Sequence, residues 1–248
     1  MIKLKCLLLL SISTMLAGTA FADPQRTLFT VENRFPRWEQ FEVGAEYHQI
    51  EYDVGLLPGN VSTSSVYARY GILDNLAVRL DIPYVDIDPD FGSSESGIGD
   101  LKVGLQLRTA EEILGFPYFI PHVSFTIPTG DDEKGLGVDG SIITAGMTWG
   151  TKMYDWLSFV LDASYKVHPD EDNIFLLASS FVWDVSEQFA ILPELRYEYD
   201  NDDDSDILII SGGLSYDWNR TIQSAVYVGS SLRGDVDSFF EARLSYSF

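Results

Sequence analysis

The chain has 248 residues, 46% of them apolar and 13% aromatic, with 38 acidic side chains against 16 basic ones. That apolar and aromatic content excludes a disordered chain, and a net charge of −22 excludes nucleic acid as a partner, since neutralising phosphates takes Lys and Arg. Cys6 is the only cysteine, so no disulfide can form within the chain.

Met1-Ile-Lys-Leu-Lys5 is a short basic start, Cys6 to Ala17 is apolar, and Ala20-Phe-Ala22 is a small-x-small cleavage site. These features predict a secretory signal peptide over residues 1–22. A membrane anchor is the alternative, but the apolar run is short for a span and Asp23-Pro24 follows at once. Cys6 lies well before the cleavage site, so a lipid-anchored cysteine is not expected. Cleavage would remove Lys3 and Lys5 and leave 14 basic residues against 38 acidic ones, a net charge of −24. Residues 23–38 then form either a periplasmic tail or a segment tucked into a lumen, the tail being the simpler reading. The barrel proper is expected over 39–248.

Period-two alternation dominates the rest, and that is the strand signal. Leu76, Val78, Leu80, Ile82 and Tyr84 share one face, opposite Ala77, Arg79, Asp81 and Pro83. Leu101, Val103, Leu105 and Leu107 repeat the pattern, as do Phe240, Ala242, Leu244, Tyr246 and Phe248. Twelve strands are predicted, at 40–52, 63–70, 76–85, 98–109, 118–128, 141–149, 156–167, 174–183, 189–199, 207–216, 222–229 and 238–248. Most approach the ~9–11 residues that a tilted strand needs to cross a bilayer, and the even count suits a bacterial single-chain barrel.

One stretch, Ile113–Gly130, has no formal charge across 18 residues, but Pro117, Pro121 and Pro128 would break a helix repeatedly. It reads as turn plus strand. The connections alternate between candidate turns (71–75, 110–117, 150–155, 184–188, 217–221) and mostly longer, more polar loops (53–62, 86–97, 129–140, 168–173, 200–206, 230–237). The six loops hold 19 of the 38 acidic residues and two basic ones, Lys134 and Arg233. Short turns at one end and longer loops at the other is the outer-membrane pattern, with both termini on the periplasmic side.

Alternation alone does not separate a membrane barrel from a soluble sandwich. Trp149, Trp156, Trp183 and Trp218 beside the short turns, with Tyr84, Tyr165 and Tyr199 near the opposite strand ends, fit two interfacial girdles. The chain ends Tyr246-Ser-Phe248, which resembles the signal read by the barrel assembly machinery, although the usual small residue a few positions earlier is replaced by charged Glu241–Arg243. The fold class expected is therefore all-β: an antiparallel up-and-down transmembrane β-barrel of about twelve strands in the bacterial outer membrane.

Three motifs invite chemistry. Gly135-Leu-Gly137-Val-Asp-Gly140 matches a dinucleotide fingerprint, but it lies between antiparallel strands in a loop and lacks the strand–helix context. His122 and Ser124 on one inward face resemble the His-x-Ser pair of outer-membrane lipid hydrolases, yet position 134, where an orienting acid or amide is wanted, is Lys. Asp200 to Asp206 imitates a calcium loop but has Ser205 and Ser211 where Gly and Glu belong. His48, His122 and His168 have no zinc spacing. No catalytic residue, cofactor or metal is assigned; divalent bridging to lipopolysaccharide by the acidic loops stays open. The lumen-lining candidates are Arg69, Arg79, Asp81, Asp100, Lys102, Arg108, Asp162, Lys166, Glu194, Arg196, Glu198, Glu241 and Arg243. Mixed signs either neutralise each other or line a polar path, and twelve strands fall between a filled interior and a wide channel.

Arg69-Tyr-Gly71, Leu80-Asp-Ile-Pro83-Tyr, Gly97-Ile-Gly99-Asp100-Leu-Lys-Val-Gly104, Ile127-Pro128-Thr-Gly130-Asp131 and Gly135-Leu-Gly137 together resemble the outer-membrane proteins of the phenol meta-pathway family. The resemblance covers about a third of the chain. It implies a transporter-like barrel for small solutes, aromatic or hydrophobic ones included, and carries over no site residue. The function expected is passive passage of such a solute, with cation preference set by the acidic loops. The alternative is a closed structural barrel acting through those loops, in adhesion or on lipopolysaccharide. Expected partners are outer-membrane lipid and lipopolysaccharide, the assembly machinery through Phe248, and the solute.

Overall fold

In the computed structural model, residues 24–52, 59–90, 92–110, 117–168, 173–201, 205–234 and 236–248 are described. The predicted signal peptide, most of the 53–62 loop, and the centre of the Asp200–Asp206 motif lie outside them.

The strands are β1 (Phe41–Tyr52), β2 (Gly59–Leu73), β3 (Leu76–Pro89), β4 (Glu95–Ile98), β5 (Leu101–Leu107), β6 (Tyr118–Ile127), β7 (Ile142–Tyr154), β8 (Leu157–Val167), β9 (Ile174–Asp184), β10 (Phe189–Asp200), β11 (Ser205–Asp217), β12 (Ile222–Arg233) and β13 (Val236–Ser247). Each pairs antiparallel with its neighbours, and β1 pairs with both β2 and β13, closing the sheet on itself. At the seam, Phe41 and Phe248 exchange both backbone hydrogen bonds and their rings pack 5.3 Å apart. Closure leaves no free edge around the ring, the condition for a sheet to sit in lipid.

β4 and β5 both lie on β3 and together make one spanning strand, so the barrel has twelve. Tyr84 faces Ile98 and Asp81 faces Lys102, so three steps along β3 match four along the other side. That extra residue, at Gly99–Asp100, is a bulge and swaps the faces of the strand across it. The predicted strand 98–109 therefore exists in two pieces. Several strands also run beyond their predicted ends, β2 down to Gly59 and β3 up to Pro89, because backbone pairing continues where the apolar face has stopped.

The outward face is an apolar belt. Leu80, Ile82, Tyr84, Phe125, Met147, Phe181, Leu214, Val226 and Leu244 are all exposed. On β3 it ends at Tyr84, beyond which the outward residues are Asp86 and Asp88. Leu76 to Tyr84 spans about 20 Å along the barrel axis at roughly 3.3 Å per residue and ~40° tilt, close to the apolar height of a membrane barrel. At the short-turn end Tyr154 stacks on Trp156 at 5.3 Å, Trp156 meets Trp183, and Tyr216 meets Trp218, all exposed. A chain with this surface spans a membrane, since in water so much contiguous apolar area would drive aggregation. Among the described residues no helix is long and apolar enough to cross a membrane.

The inward face is close-packed in places by rings lying over cross-strand glycines. Tyr67 covers Gly44, Tyr118 covers Gly150, Tyr227 covers Gly213 and Phe239 covers Gly229, with ring atoms in the space a Cβ would need. A side chain at any of the four glycines would push its ring off the wall into the lumen.

Candidate functional site

Residues 24–36 lie inside the barrel, with Arg37, Trp38 and Glu39 exposed at its mouth, so the segment is not the free tail preferred on sequence grounds. The segment enters at the short-turn end, where Glu39 donates its N–H to the Gly71 carbonyl and Gln40 accepts the Gly71 N–H. It rises as a finger and folds back. Phe35 is buried against Ala77, Tyr118 and Ile120. Across the finger, Gln25 and Glu32 exchange hydrogen bonds and Arg26 pairs with Glu32 at 2.8 Å. Arg26 also pairs with Asp184, and Arg34 with Asp217 at 3.3 Å, both acids lying beside short turns. Burial disfavours the Glu32 carboxylate, but the charges of Arg26 and Arg34 outweigh it and hold the group below the ordinary glutamate range.

The tip is gripped by the wall. The Leu28 and Phe29 N–H groups donate to the two oxygens of Glu194, each at 2.8 Å. Thr30 donates to Ser180, which donates to Glu194. Arg243 donates to the carbonyls of Gln25 and Thr27. A backbone without strand partners must find side-chain partners once buried, and these supply them.

Above and beside the finger runs a charge network. Glu46 pairs with Arg243 at 2.8 Å and with Arg79 at 3.0 Å; Arg79 also pairs with Asp81, and Arg243 with Glu241. The Arg79 guanidinium lies 4.1 Å from the centre of the Tyr67 ring, and Tyr67 donates to Glu42, which is ion-paired with Arg69. A partly open cavity of about 420 Å³ lies between this network, the finger tip and the far wall of His122, Ser124 and Asp162. A second, of about 270 Å³, lies towards the long-loop end.

The thirteen candidates therefore separate by role. Arg79, Asp81, Lys102, Asp162, Glu241 and Arg243 border the larger cavity; Arg196 and Glu198, paired at 2.6 Å, border the smaller. Glu194 holds the finger. Arg69 donates to the Arg34 carbonyl, and Arg108 to Asn33 and to the Asp74 carbonyl, bracing its base. Asp100 accepts the N–H groups of Thr129, Gly130 and Val138 and so clamps a long loop to the bulge. Lys166 lies on β8 opposite Thr144. The sequence offers a lumen segment only as the second reading of residues 23–38, and its candidates do not include Glu42 or Glu46. It also places His122 without its acid, which is Asp162 at 2.8 Å, 40 residues away and also bound by Thr148. Among the described residues no group of His, Cys, Asp and Glu is arranged to hold a metal.

No curated protein matches the chain in sequence. Solved structures match its fold. The COG4313 outer membrane channel from Pseudomonas putida F1 is 15% identical and superposes with a TM-score of 0.68 over 91% of this chain and 100% of that one. The KdgM porin, solved in complex with disordered oligogalacturonate, is 12% identical with a TM-score of 0.61, over 84% and 99%. A mutant of TodX, a monoaromatic hydrocarbon channel, is 10% identical with a TM-score of 0.50, over 86% and 90%. With the apolar belt and aromatic girdle, this architecture is that of a bacterial outer-membrane barrel. A family model matches residues 29–248, from the finger tip to the last residue, and the chain belongs to that family, described as "Putative MetA-pathway of phenol degradation".

Proposed function

We propose that the protein is an outer-membrane channel giving passive passage to a small solute, aromatic or hydrophobic, with the finger as its constriction. The observation that carries this reading is the roughly 420 Å³ cavity inside a closed twelve-stranded wall, where Glu46, Arg79, Asp81, Glu241 and Arg243 are already paired with one another. Paired charges stay soluble in a narrow lumen without trapping an ion, and the neighbouring pocket has apolar walls for the solute body. Membership of a family named for phenol degradation, and likeness in fold to a monoaromatic hydrocarbon channel, support an aromatic cargo. The polar residues of the two cavities form the path in this proposal, and no catalytic step is part of it.

Single-channel recording in planar bilayers tests the proposal, with swelling of proteoliposomes in phenol and in a sugar of similar mass. Conductance with faster phenol entry is the expected result; a correctly refolded barrel with neither would reject it. A second reading, a closed barrel acting through its acidic loops on lipopolysaccharide, is favoured by how fully the finger fills the lower lumen. It predicts no conductance and a phenotype from loop deletion alone. Assembly through the C-terminal aromatic is part of either reading, supported by the position of Phe248 at the barrel seam.

A further inference from the structure

One side chain borders both cavities. Phe29, at the finger tip, lines the larger one below and the smaller one above. Its ring lies 6.0 Å from that of Phe239, tilted by 57°, and the Arg196 guanidinium stands 5.5 Å from its centre. Ile50, Ile207 and Ile209 add apolar walls, and His48 and Glu198 stand at the polar rim. A tilted aromatic neighbour, a cation over the face and aliphatic sides are the contacts that favour an aromatic ring over an aliphatic body of equal size.

The ring is held there indirectly. Phe29 is not on a strand; its place depends on Glu194 gripping the Leu28 and Phe29 N–H groups and on Thr30 bound to Ser180. Open space of about 270 Å³ already adjoins the ring on the long-loop side, enough for one small solute to arrive beside it.

We propose that the slot between Phe239 and Arg196 is an aromatic-binding site, occupied at rest by the chain's own Phe29 as an internal ligand. A solute ring entering from the long-loop end competes for the slot and, by taking it, frees the finger tip. The constriction then opens more readily for solutes that resemble Phe29 than for those that do not. The inference rests on the channel reading for its direction of traffic, whereas the site itself is a matter of binding.

The experiment uses the full chain refolded in detergent, with 4-fluorophenol titrated by fluorine NMR and cyclohexanol as competitor. Phe29→Ala vacates the slot and should bind 4-fluorophenol about tenfold tighter than the unaltered protein, the scale of a ring contact plus a cation–π contact. Cyclohexanol should displace it poorly, and Arg196→Gln in the Phe29→Ala background should remove most of the gain. In the unaltered protein, phenol should speed trypsin cleavage after Arg26 and Arg34 while cyclohexanol does not, a readout that needs no variant to fold. Equal affinity with and without Phe29, equal competition by cyclohexanol, or cleavage indifferent to phenol would each overturn the inference. A barrel that binds phenol in this pattern yet passes no current keeps the slot and loses the channel; one that conducts but binds phenol and cyclohexanol alike keeps the channel and loses the slot.

Discussion

Glu194 on β10 takes the backbone N–H of Phe29, and that of Leu28 beside it, one on each carboxylate oxygen. The two residues are 165 positions apart, and the contact fixes the tip of an otherwise strandless segment to the barrel wall. A carboxylate suits the task because it offers two acceptors and no donor.

Glu194→Gln keeps the shape but turns one acceptor into a donor facing an N–H group. Losing one charge-assisted hydrogen bond costs about 1.5–3 kcal/mol. The finger should then leave the wall for a larger share of the time. Bilayer recordings should show more frequent or larger openings, and trypsin should cut after Arg26 and Arg34 sooner. Recordings identical to those of the unaltered protein would mean that Glu194 does not hold the constriction.

The base of the finger should respond to acid. Glu32 has its carboxyl held below the ordinary range by Arg26 and Arg34, against the effect of burial, and Asp184 and Asp217 face the same two arginines. A depressed folded value means that the stabilisation is complete above the ordinary glutamate pKa of about 4.3 and is lost as pH falls through the lower folded value. The part of the conductance that depends on the base of the finger should therefore rise only below about 4. Glu32→Gln should be more open at neutral pH and lack the step. A variant that keeps the step would exclude Glu32 as its source.

The Arg69–Glu42 pair is a matter of stability. Both side chains are almost wholly buried, at 1% and 2% exposure, and 2.8 Å apart. Arg69→Met strands the Glu42 charge and should cost about 3–5 kcal/mol, whereas adding Glu42→Gln should restore most of it. Urea unfolding in lipid vesicles measures both, and equal losses in the single and double variants would contradict the assignment.

Ion preference follows from the long loops. Their negative charge raises the local cation concentration at that entrance. Reversal potentials in a salt gradient should show cation preference, weakening as salt rises and the Debye length shrinks. Anion preference would show that the Arg79, Lys102 and Arg243 side of the lumen dominates.

Strands and their two faces were legible because lipid imposes a strict rule: every second residue from Leu76 to Tyr84 must be apolar. Past Tyr84 the rule lapses, so β3 continues through Asp86 and Asp88 with nothing in side-chain polarity to show it. The bulge at Gly99–Asp100 was hidden because one extra residue changes the faces without changing composition. The finger was one of two readings of residues 23–38, and its docking was hidden for a different reason. Residues 24–36 have no period of their own, and the groups that bury them (Ser180, Asp184, Glu194, Asp217 and Arg243) lie 150 or more positions away. The His122–Asp162 contact likewise crosses two strand pairings, from β6 through β7 to β8, which no local motif search joins.

The central claim is that the finger closes the lumen, and locking it tests that most directly. Cys6 is the only native cysteine and lies within the predicted signal peptide, so an introduced pair in the barrel would have no other thiol to react with. Thr30 and Ser180 have their hydroxyl oxygens 2.9 Å apart, close enough for the pair Thr30→Cys and Ser180→Cys to be bridged. Single-channel conductance of this double variant should fall to the closed level when oxidised and return on reduction. Conductance unchanged by oxidation, with the bridge verified by mass, would show that solute and ions pass without moving the finger.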